Sequence, residues 1–179
     1  MACVPRPALR SCPVCPRVAG VGLNVLPFEN ETRERLEALK LPPGTSVANP
    51  IDTPVRTLQE KDGWVAGEIL DIVYAHTRSD AVAMHLNLAS FAGRGGADPL
   101  ESLLAVKQTQ EKWQGMAHFA LALRSDGSPE RDEKKRKYRA KAAAVGVPVF
   151  DEIPEMTHAL SVVGHIERRL AAAADHTPR

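Results

Sequence analysis

The feature that most constrains this sequence is a regular alternation of short apolar runs with longer stretches of helical periodicity. In the longer stretches, apolar residues recur three and four positions apart, as they do on one face of an α-helix. Strands that alternate with helices favour a parallel sheet with right-handed crossovers, so we predict an α/β fold. The predicted strands are 23–28, 80–88, 117–123 and 147–150, and the predicted helices are 30–40, 62–76, 100–113, 129–145 and 154–173.

The sequence divides into one long domain and two short ends. Residues 1–17 are rich in proline and cysteine and show no apolar period, so we predict a poorly ordered tail there. Residues 18–174 carry the alternating pattern, and their number suits a single domain with one core. We predict a disordered C-terminus at residues 175–179.

The charge balance limits the classes of partner. Lys and Arg total 23 against 22 Asp and Glu, which leaves a net charge of +1. Such a chain has no overall field to attract nucleic acid or an anionic membrane, and we predict neither as a partner. No apolar run approaches the roughly 20 residues of a spanning helix, and the N-terminus lacks the apolar stretch of a signal peptide. The predicted compartment is the cytoplasm.

All three cysteines, Cys3, Cys12 and Cys15, fall in the tail, so a disulfide framework is not expected. The two-residue gap between Cys12 and Cys15 fits a zinc knuckle or a redox pair. Tetrahedral zinc needs a second pair of ligands, however, and redox chemistry needs a helix directly behind the pair. We therefore predict no metal site, and a zinc-bearing tail that binds nucleic acid is a minor alternative.

A glycine-rich turn after the second predicted strand is the first candidate binding site. Gly93, Gly95 and Gly96 let the backbone approach a ligand closely, and Arg94 offers a bidentate contact to an anion. The turn leads into a helix N-terminus, where free N–H groups and the helix dipole favour a phosphate or a carboxylate. The alternative is a plain connector, because Asp98 would repel an anion.

A second candidate lies in the loop of residues 46–54, where two prolines forbid a central strand. The side chains of Asn49 and Asp52 can bond their own loop as Asx-turns, which would make the motif structural. Alternatively, the loop lines a crevice beside the glycine turn and presents Asn49 to acyl or CoA groups. Both interpretations stay open, and both residues are candidates for substrate binding.

Two further features have simpler interpretations. His85 lies inside an apolar strand, so we predict a core residue rather than a nucleophile. Residues 130–141 hold seven basic side chains against three acidic ones, a composition typical of a solvated helix. Contact with the diphosphate of CoA or with nucleic acid is the alternative for that helix.

Several motifs together resemble a known family. Pro42-Pro43-Gly44 leads into Asn49-Pro50-Ile51-Asp52, a Gly-x-Pro strand covers 146–150, and the final helix contains His158-Ala159-Leu160. In this order they are similar to the third flavodoxin-like domain of the nucleotide-diphosphate-forming acyl-CoA synthetases, such as ADP-forming acetyl-CoA synthetase. A more distant resemblance is to the carboxy-terminal domain of the succinyl-CoA synthetase β subunit. The resemblance spans about residues 17–170 and implies a three-layer flavodoxin-like parallel sheet.

What the resemblance implies is acyl-CoA synthesis coupled to a nucleoside triphosphate through a phosphohistidine, with CoA and ATP or ADP bound by the full assembly. The chain has no room for the CoA-binding, phosphohistidine and ATP-grasp domains, and no catalytic residue is inherited. The implied protein is a partial or degenerate ligase domain, inactive alone, whose partners are CoA-binding and ATP-grasp domains or subunits in a homo- or hetero-oligomer. The alternative is a free-standing flavodoxin-like module that binds a small molecule or a protein without catalysis.

The start of the chain departs from the family pattern. The family domain opens with a strand and a glycine-rich turn into a helix, and this sequence has the proline- and cysteine-rich tail instead. In a flavodoxin-like strand order the first strand is central, so its loss leaves the strand predicted at 23–28 without its usual neighbour. We expect either a truncated or misread start or a partner chain that supplies the missing strand.

Overall fold

The computed structural model describes residues 2–5, 21–91, 104–106, 108, 111, 112 and 117–175. Its regular elements fall close to the predicted ones, with a few exceptions discussed below. Residues 104–106, 108, 111 and 112 are helical, in the stretch predicted as a helix over 100–113. The elements in chain order are β1 Ala2–Pro5, α1 Asn30–Ala38, a 3₁₀ helix Val55–Gly63, α2 Trp64–His76, β2 Ser79–Asn87, a 3₁₀ turn Leu88–Phe91, β3 His118–Arg124, α3 Pro129–Ala144, β4 Val149–Phe150 and α4 Ile153–Asp175.

The sheet has the order β1-β2-β3-β4. β2 and β3 pair in parallel from Ala81 opposite His118 to Asn87 opposite Arg124, and β3 pairs in parallel with the short β4. The helix α3 connects β3 to β4 across one face. This three-stranded parallel sheet, covered by helices on both faces, is a flavodoxin-like α/β fold that lacks one strand.

The two faces of the sheet differ in side-chain size. The first face carries large residues, packed under α1, α2 and α3. The second face carries alanines, and because alanine is small, α4 and residues 21–25 lie close against the strands. The large residues are Val82, Met84, Leu86, Phe119, Leu121 and Leu123, and the alanines are Ala81, Ala83, Ala120 and Ala122.

The strand predicted at 23–28 is wrong, because this segment has no regular structure and joins no sheet. Leu23 and Val25 are buried against the alanine face, so the apolar pattern reflects real burial. Side chains bond the backbone in and just before this segment: the carbonyl of Leu26 accepts a hydrogen bond from Asn49, and that of the preceding Val21 accepts one from Ser161 Oγ at 2.5 Å. Pro27 also lacks the N–H that a central strand needs.

The outer edge of β2, beside which the missing strand would lie, holds β1 instead. Ala2 pairs with Ala83 and Val4 with Ala81, in antiparallel orientation. This strand lies in the predicted tail and adds in antiparallel orientation to the edge of the three-stranded parallel sheet. Residues 6–20 lie outside the described residues, so the remainder of the predicted tail stays a prediction.

Ordinary start and stop signals set the helix ends. α3 begins after Ser128, with Pro129 in its first turn and Glu130 favourable to the helix dipole, and it ends before Gly146, whose φ is +77°. α2 follows Gly63, whose φ is +87°. Among the described helices, none combines the length and the apolar composition that crossing a membrane requires.

Candidate functional site

Asn49 and Asp52 lie in a loop that closes on itself. Ser46 N donates to Asp52 O at 2.7 Å, and Asp52 N donates back to Ser46 O at 3.1 Å. Between these ends Asn49 is only 6% exposed, and its Nδ2 donates to Leu26 O at 2.8 Å. This bond reaches across to another segment, so Asn49 fixes the loop to the chain that precedes α1.

A cavity of about 330 Å³ adjoins Asn49. Its other lining residues come from two segments, residues 26–29 before α1 and residues 76–79 at the junction of α2 and β2. Ser79 is the first residue of β2, so the cavity lies at the end of the sheet where β2 begins, which we call the amino edge. The opposite end, where β2, β3 and β4 finish, is the carboxyl edge.

The glycine turn leaves from the other end of β2. Residues 88–91 follow Asn87, the last residue of β2, and eight steps of extended chain from Ser79 to Asn87 span about 26 Å. Gly93, Arg94, Gly95 and Gly96 lie outside the described residues. The described residues therefore place Asn49 at the amino edge, whereas the chain that leads to the turn leaves from the carboxyl edge.

The carboxyl edge carries polar side chains that the sequence analysis did not single out as a site. Arg124 closes β3 opposite Asn87, and its Nε lies 3.8 Å from Glu152 Oε1. Asp151 accepts bonds from Lys135 at 2.6 Å and from Arg139 at 2.5 Å. Arg124, Asp151 and Glu152 share one signal in the sequence, since each comes at or just after the end of an apolar strand, whereas Lys135 and Arg139 lie within α3.

His85 belongs to this edge, and the prediction of a core histidine is wrong because the residue is exposed. It shares the alanine face with Ala81 and Ala83 but lies nearer the end of β2. Although exposed, the ring is partly desolvated, which lowers the pKa of His85 below its usual 6.5. The positive charge of Arg124 lowers the pKa further, and Glu152 opposes both effects.

Several basic side chains of α3 form ion pairs with nearby acidic residues. Arg136 pairs with Glu133 at 2.5 Å, and Arg131 pairs with Asp126. Hydrogen bonds from Arg136 lower the pKa of Glu133, and those from Ser128 lower the pKa of Asp126. Lys135 and Arg139 are bound to Asp151, as above. These pairs favour the solvated helix that the composition predicts.

The described residues contain no group of three or more His, Cys, Asp or Glu side chains that could hold a metal ion. Cys12 and Cys15 lie outside them, and Cys3 belongs to β1. The prediction about the cysteine pair therefore stays a prediction.

The parallel sheet and the helices on its two faces define the class of protein: a flavodoxin-like α/β domain that lacks one strand. Among solved structures, the chain is similar to the apo form of dinucleotide-forming acetyl-coenzyme A synthetase 1 from Ca. Korarchaeum cryptofilum, with a TM-score of 0.61 and 13% sequence identity. The match covers 90% of this chain and 32% of that one, so the chain spans about a third of that synthetase. At this identity the likeness shows the fold alone.

Sequence comparisons add no assignment. No family model matches the chain, and no curated protein matches it.

Proposed function

We propose that this chain is a partial or degenerate flavodoxin-like domain of a nucleotide-diphosphate-forming acyl-CoA synthetase, inactive alone. The observation that carries the proposal is the likeness of 90% of the chain to part of an acetyl-coenzyme A synthetase. The loop motif that ends in Asn49-Pro50-Ile51-Asp52 supports it from the sequence. In this proposal, partner domains or subunits bind CoA and ATP or ADP and carry the phosphohistidine, and the assembly works in the cytoplasm.

Within that assembly we assign the anion-binding role to the glycine turn, through Gly93, Arg94, Gly95 and Gly96. Its support is chemical: the turn follows the carboxyl end of β2, where ligands of open α/β sheets bind. Asn49 lines the cavity at the amino edge, so we place any ligand contact of this residue there rather than beside the turn.

Reconstitution tests the proposal. The chain is co-expressed with polypeptides from the same organism that carry the CoA-binding, phosphohistidine and ATP-grasp modules, and acetyl-CoA formation and ADP release are measured with acetate, CoA and ATP. We expect no activity from the chain alone and activity from the modules only in its presence. Modules that are fully active without the chain, or that do not bind it, would contradict the proposal.

A matched pair of variants tests the anion-binding role. Arg94→Ala should lower the activity of the reconstituted assembly by about tenfold or more, because it removes a charge-assisted contact to an anion. Arg136→Ala removes an exposed arginine from α3 and should leave the activity unchanged. Equal activities of the two variants would assign the turn to a plain connector.

The alternative is a free-standing module that binds a small molecule or a protein without catalysis, and the cavity at the amino edge favours it. The measurement that separates the two functions is the same reconstitution. A chain that stays monomeric beside the synthetase modules and still binds a small molecule would support the alternative.

A further inference from the structure

Two side chains of opposite charge line the cavity at the amino edge. Arg78 and Glu29 both line the cavity and are exposed. Neither side chain forms a hydrogen bond or an ion pair with any other residue that the structure describes. Glu29 occupies the N-cap position of α1 yet makes no side-chain capping bond. Both charges are therefore available to a ligand.

One wall of the cavity is apolar, which distinguishes the cavity from a charged surface patch. Leu26 and Phe28 line it and are partly buried, and Pro27 lies between them. Phe28 also packs against the main hydrophobic core, so its position is fixed by the fold. A ligand that fits this lining needs an apolar part as well as charged groups.

The cavity is held in shape before any ligand arrives. Asn49 is bonded to Leu26 O, and Thr32 Oγ1 donates to His76 O at 3.1 Å, which joins the start of α1 to the end of α2. Thr77 Oγ1 donates to Val73 O at 2.6 Å and lies 3.0 Å from Ser79 Oγ. Because these bonds already order the three lining segments, binding would cost little further ordering.

We propose that this cavity binds a small zwitterion with an apolar substituent, the chemical class of the free apolar α-amino acids. The carboxylate of the ligand faces Arg78, its ammonium group faces Glu29, and its side chain lies against Leu26 and Phe28. A ligand with one charge would satisfy only one of the two protein charges. The volume of about 330 Å³ falls at the small end of ligand pockets, which suits a single amino acid.

Calorimetry and two-dimensional NMR of the intact chain test this proposal with L-leucine and L-phenylalanine as probes. Two isosteres of leucine serve as controls: 4-methylpentanoate, which lacks the ammonium group, and 3-methylbutylamine, which lacks the carboxylate. We expect saturable binding of the amino acids, with shifts in the amide signals of residues 76–79. Each isostere should bind about tenfold more weakly or worse, because it loses one charge-assisted contact.

Charge-neutralising variants show which group contacts which end of the ligand. Arg78→Gln should weaken leucine binding by about tenfold and leave binding of 3-methylbutylamine unchanged. Glu29→Gln should also weaken leucine binding by about tenfold, but it should leave binding of 4-methylpentanoate unchanged. Glu34→Gln on α1 and Arg136→Gln on α3 are matched controls, because both residues are exposed and lie outside the cavity lining. We expect both control variants to bind like the unmodified chain.

Three results would overturn the proposal. They are no saturable binding of either amino acid to the folded chain, equal binding of leucine and 4-methylpentanoate, and leucine binding that survives both Arg78→Gln and Glu29→Gln. None of these results depends on the synthetase assignment, because the anion-binding role assigned above concerns the carboxyl edge and its test is reconstitution.

Discussion

The two edges of the parallel sheet carry polar residues that are held in different ways. At the amino edge, Asn49 and Thr32 are buried and donate to backbone carbonyls, while the charges of Arg78 and Glu29 have no partner among the described residues. At the carboxyl edge, charges are paired with each other: the pair of Arg124 with Glu152 is exposed, and the pairs of Asp151 with Lys135 and Arg139 are partly exposed.

This difference separates stability from function. Buried hydrogen bonds contribute about 1 kcal/mol each and cost more when one partner is left unsatisfied, whereas exposed ion pairs contribute little. The amino edge therefore combines strong structural bonds with charges free to bind a ligand. The carboxyl edge combines weak structural bonds with the position at which open α/β sheets place ligands.

The largest expected effect tests the buried bonds of the amino edge. Asn49→Ala should lower the free energy of unfolding by about 2 kcal/mol, because it removes the amide that satisfies Leu26 O in a buried site. Chemical denaturation followed by circular dichroism measures the change.

Asp52→Asn in the same loop is the matched control. The residue is exposed, and its contribution to the loop comes from backbone atoms that the substitution keeps, so we expect a change within about 0.5 kcal/mol. A loss of stability as large for Asp52→Asn as for Asn49→Ala would show that burial does not set the difference within this motif.

A smaller effect is expected where α1 meets α2. Thr32→Val keeps the shape of a side chain that is 1% exposed but removes the donor to His76 O, and should lower the free energy of unfolding by about 1 kcal/mol. Thr45→Val is the control, since its hydroxyl is less buried and has a partner at 3.4 Å, and it should change stability by less than about 0.5 kcal/mol. Equal losses of stability in Thr32→Val and Thr45→Val would show that burial does not determine how much these hydrogen bonds contribute.

The apolar periodicity was sufficient to locate the helices and strands whose own residues determine where they form. The apolar alternation located β2 and β3, and Pro129 and Gly146 located the ends of α3. The apolar pattern at 23–28 predicted a strand, whereas it reflects the burial of Leu23 and Val25 against the alanine face. Whether an extended segment joins a sheet depends on a free neighbouring edge, which a single sequence does not specify.

The candidate site was predicted less well for the same reason. Asn49 was predicted as a candidate binding residue. Its position at the amino edge could not be predicted, because the loop that carries it is long enough to reach either edge of the sheet. His85 was expected in the core because its neighbours are apolar, although period-two alternation places it on the alanine face near the end of β2. Arg78 and Glu29 belong to no sequence motif. They line the same cavity only because α1 packs against α2.

A third prediction concerns the paired charges of the carboxyl edge. Hydrogen bonding to Lys135, helped by Arg139, lowers the pKa of Asp151 below its usual 3.8. Asp151→Asn should lower the free energy of unfolding at neutral pH by about 0.5 kcal/mol, a small value because Asp151 itself is exposed.

The sign of the pH dependence follows from the lowered pKa. The contribution of Asp151 is fully present above the usual pKa of 3.8 and is lost as the pH falls through the lower value in the folded chain. Denaturation curves of the two proteins should therefore differ at neutral pH, less so in high salt, and converge in acid. A difference that persists unchanged at low pH would rule out the ion pairs as its source.

The smallest effect is expected at His85, where the pKa is lowered. In the interval between the lowered value and the usual 6.5, the unfolded chain binds more protons than the folded one, so stability rises with pH up to about 6.5. His85→Gln should flatten this rise while leaving stability at higher pH nearly unchanged. NMR titration of the ring gives the pKa directly, and Arg124→Gln should move it upward by removing a nearby positive charge. A ring that titrates at or above 6.5 in the folded chain would show that the carboxyl edge leaves His85 as solvated as it is in the unfolded chain.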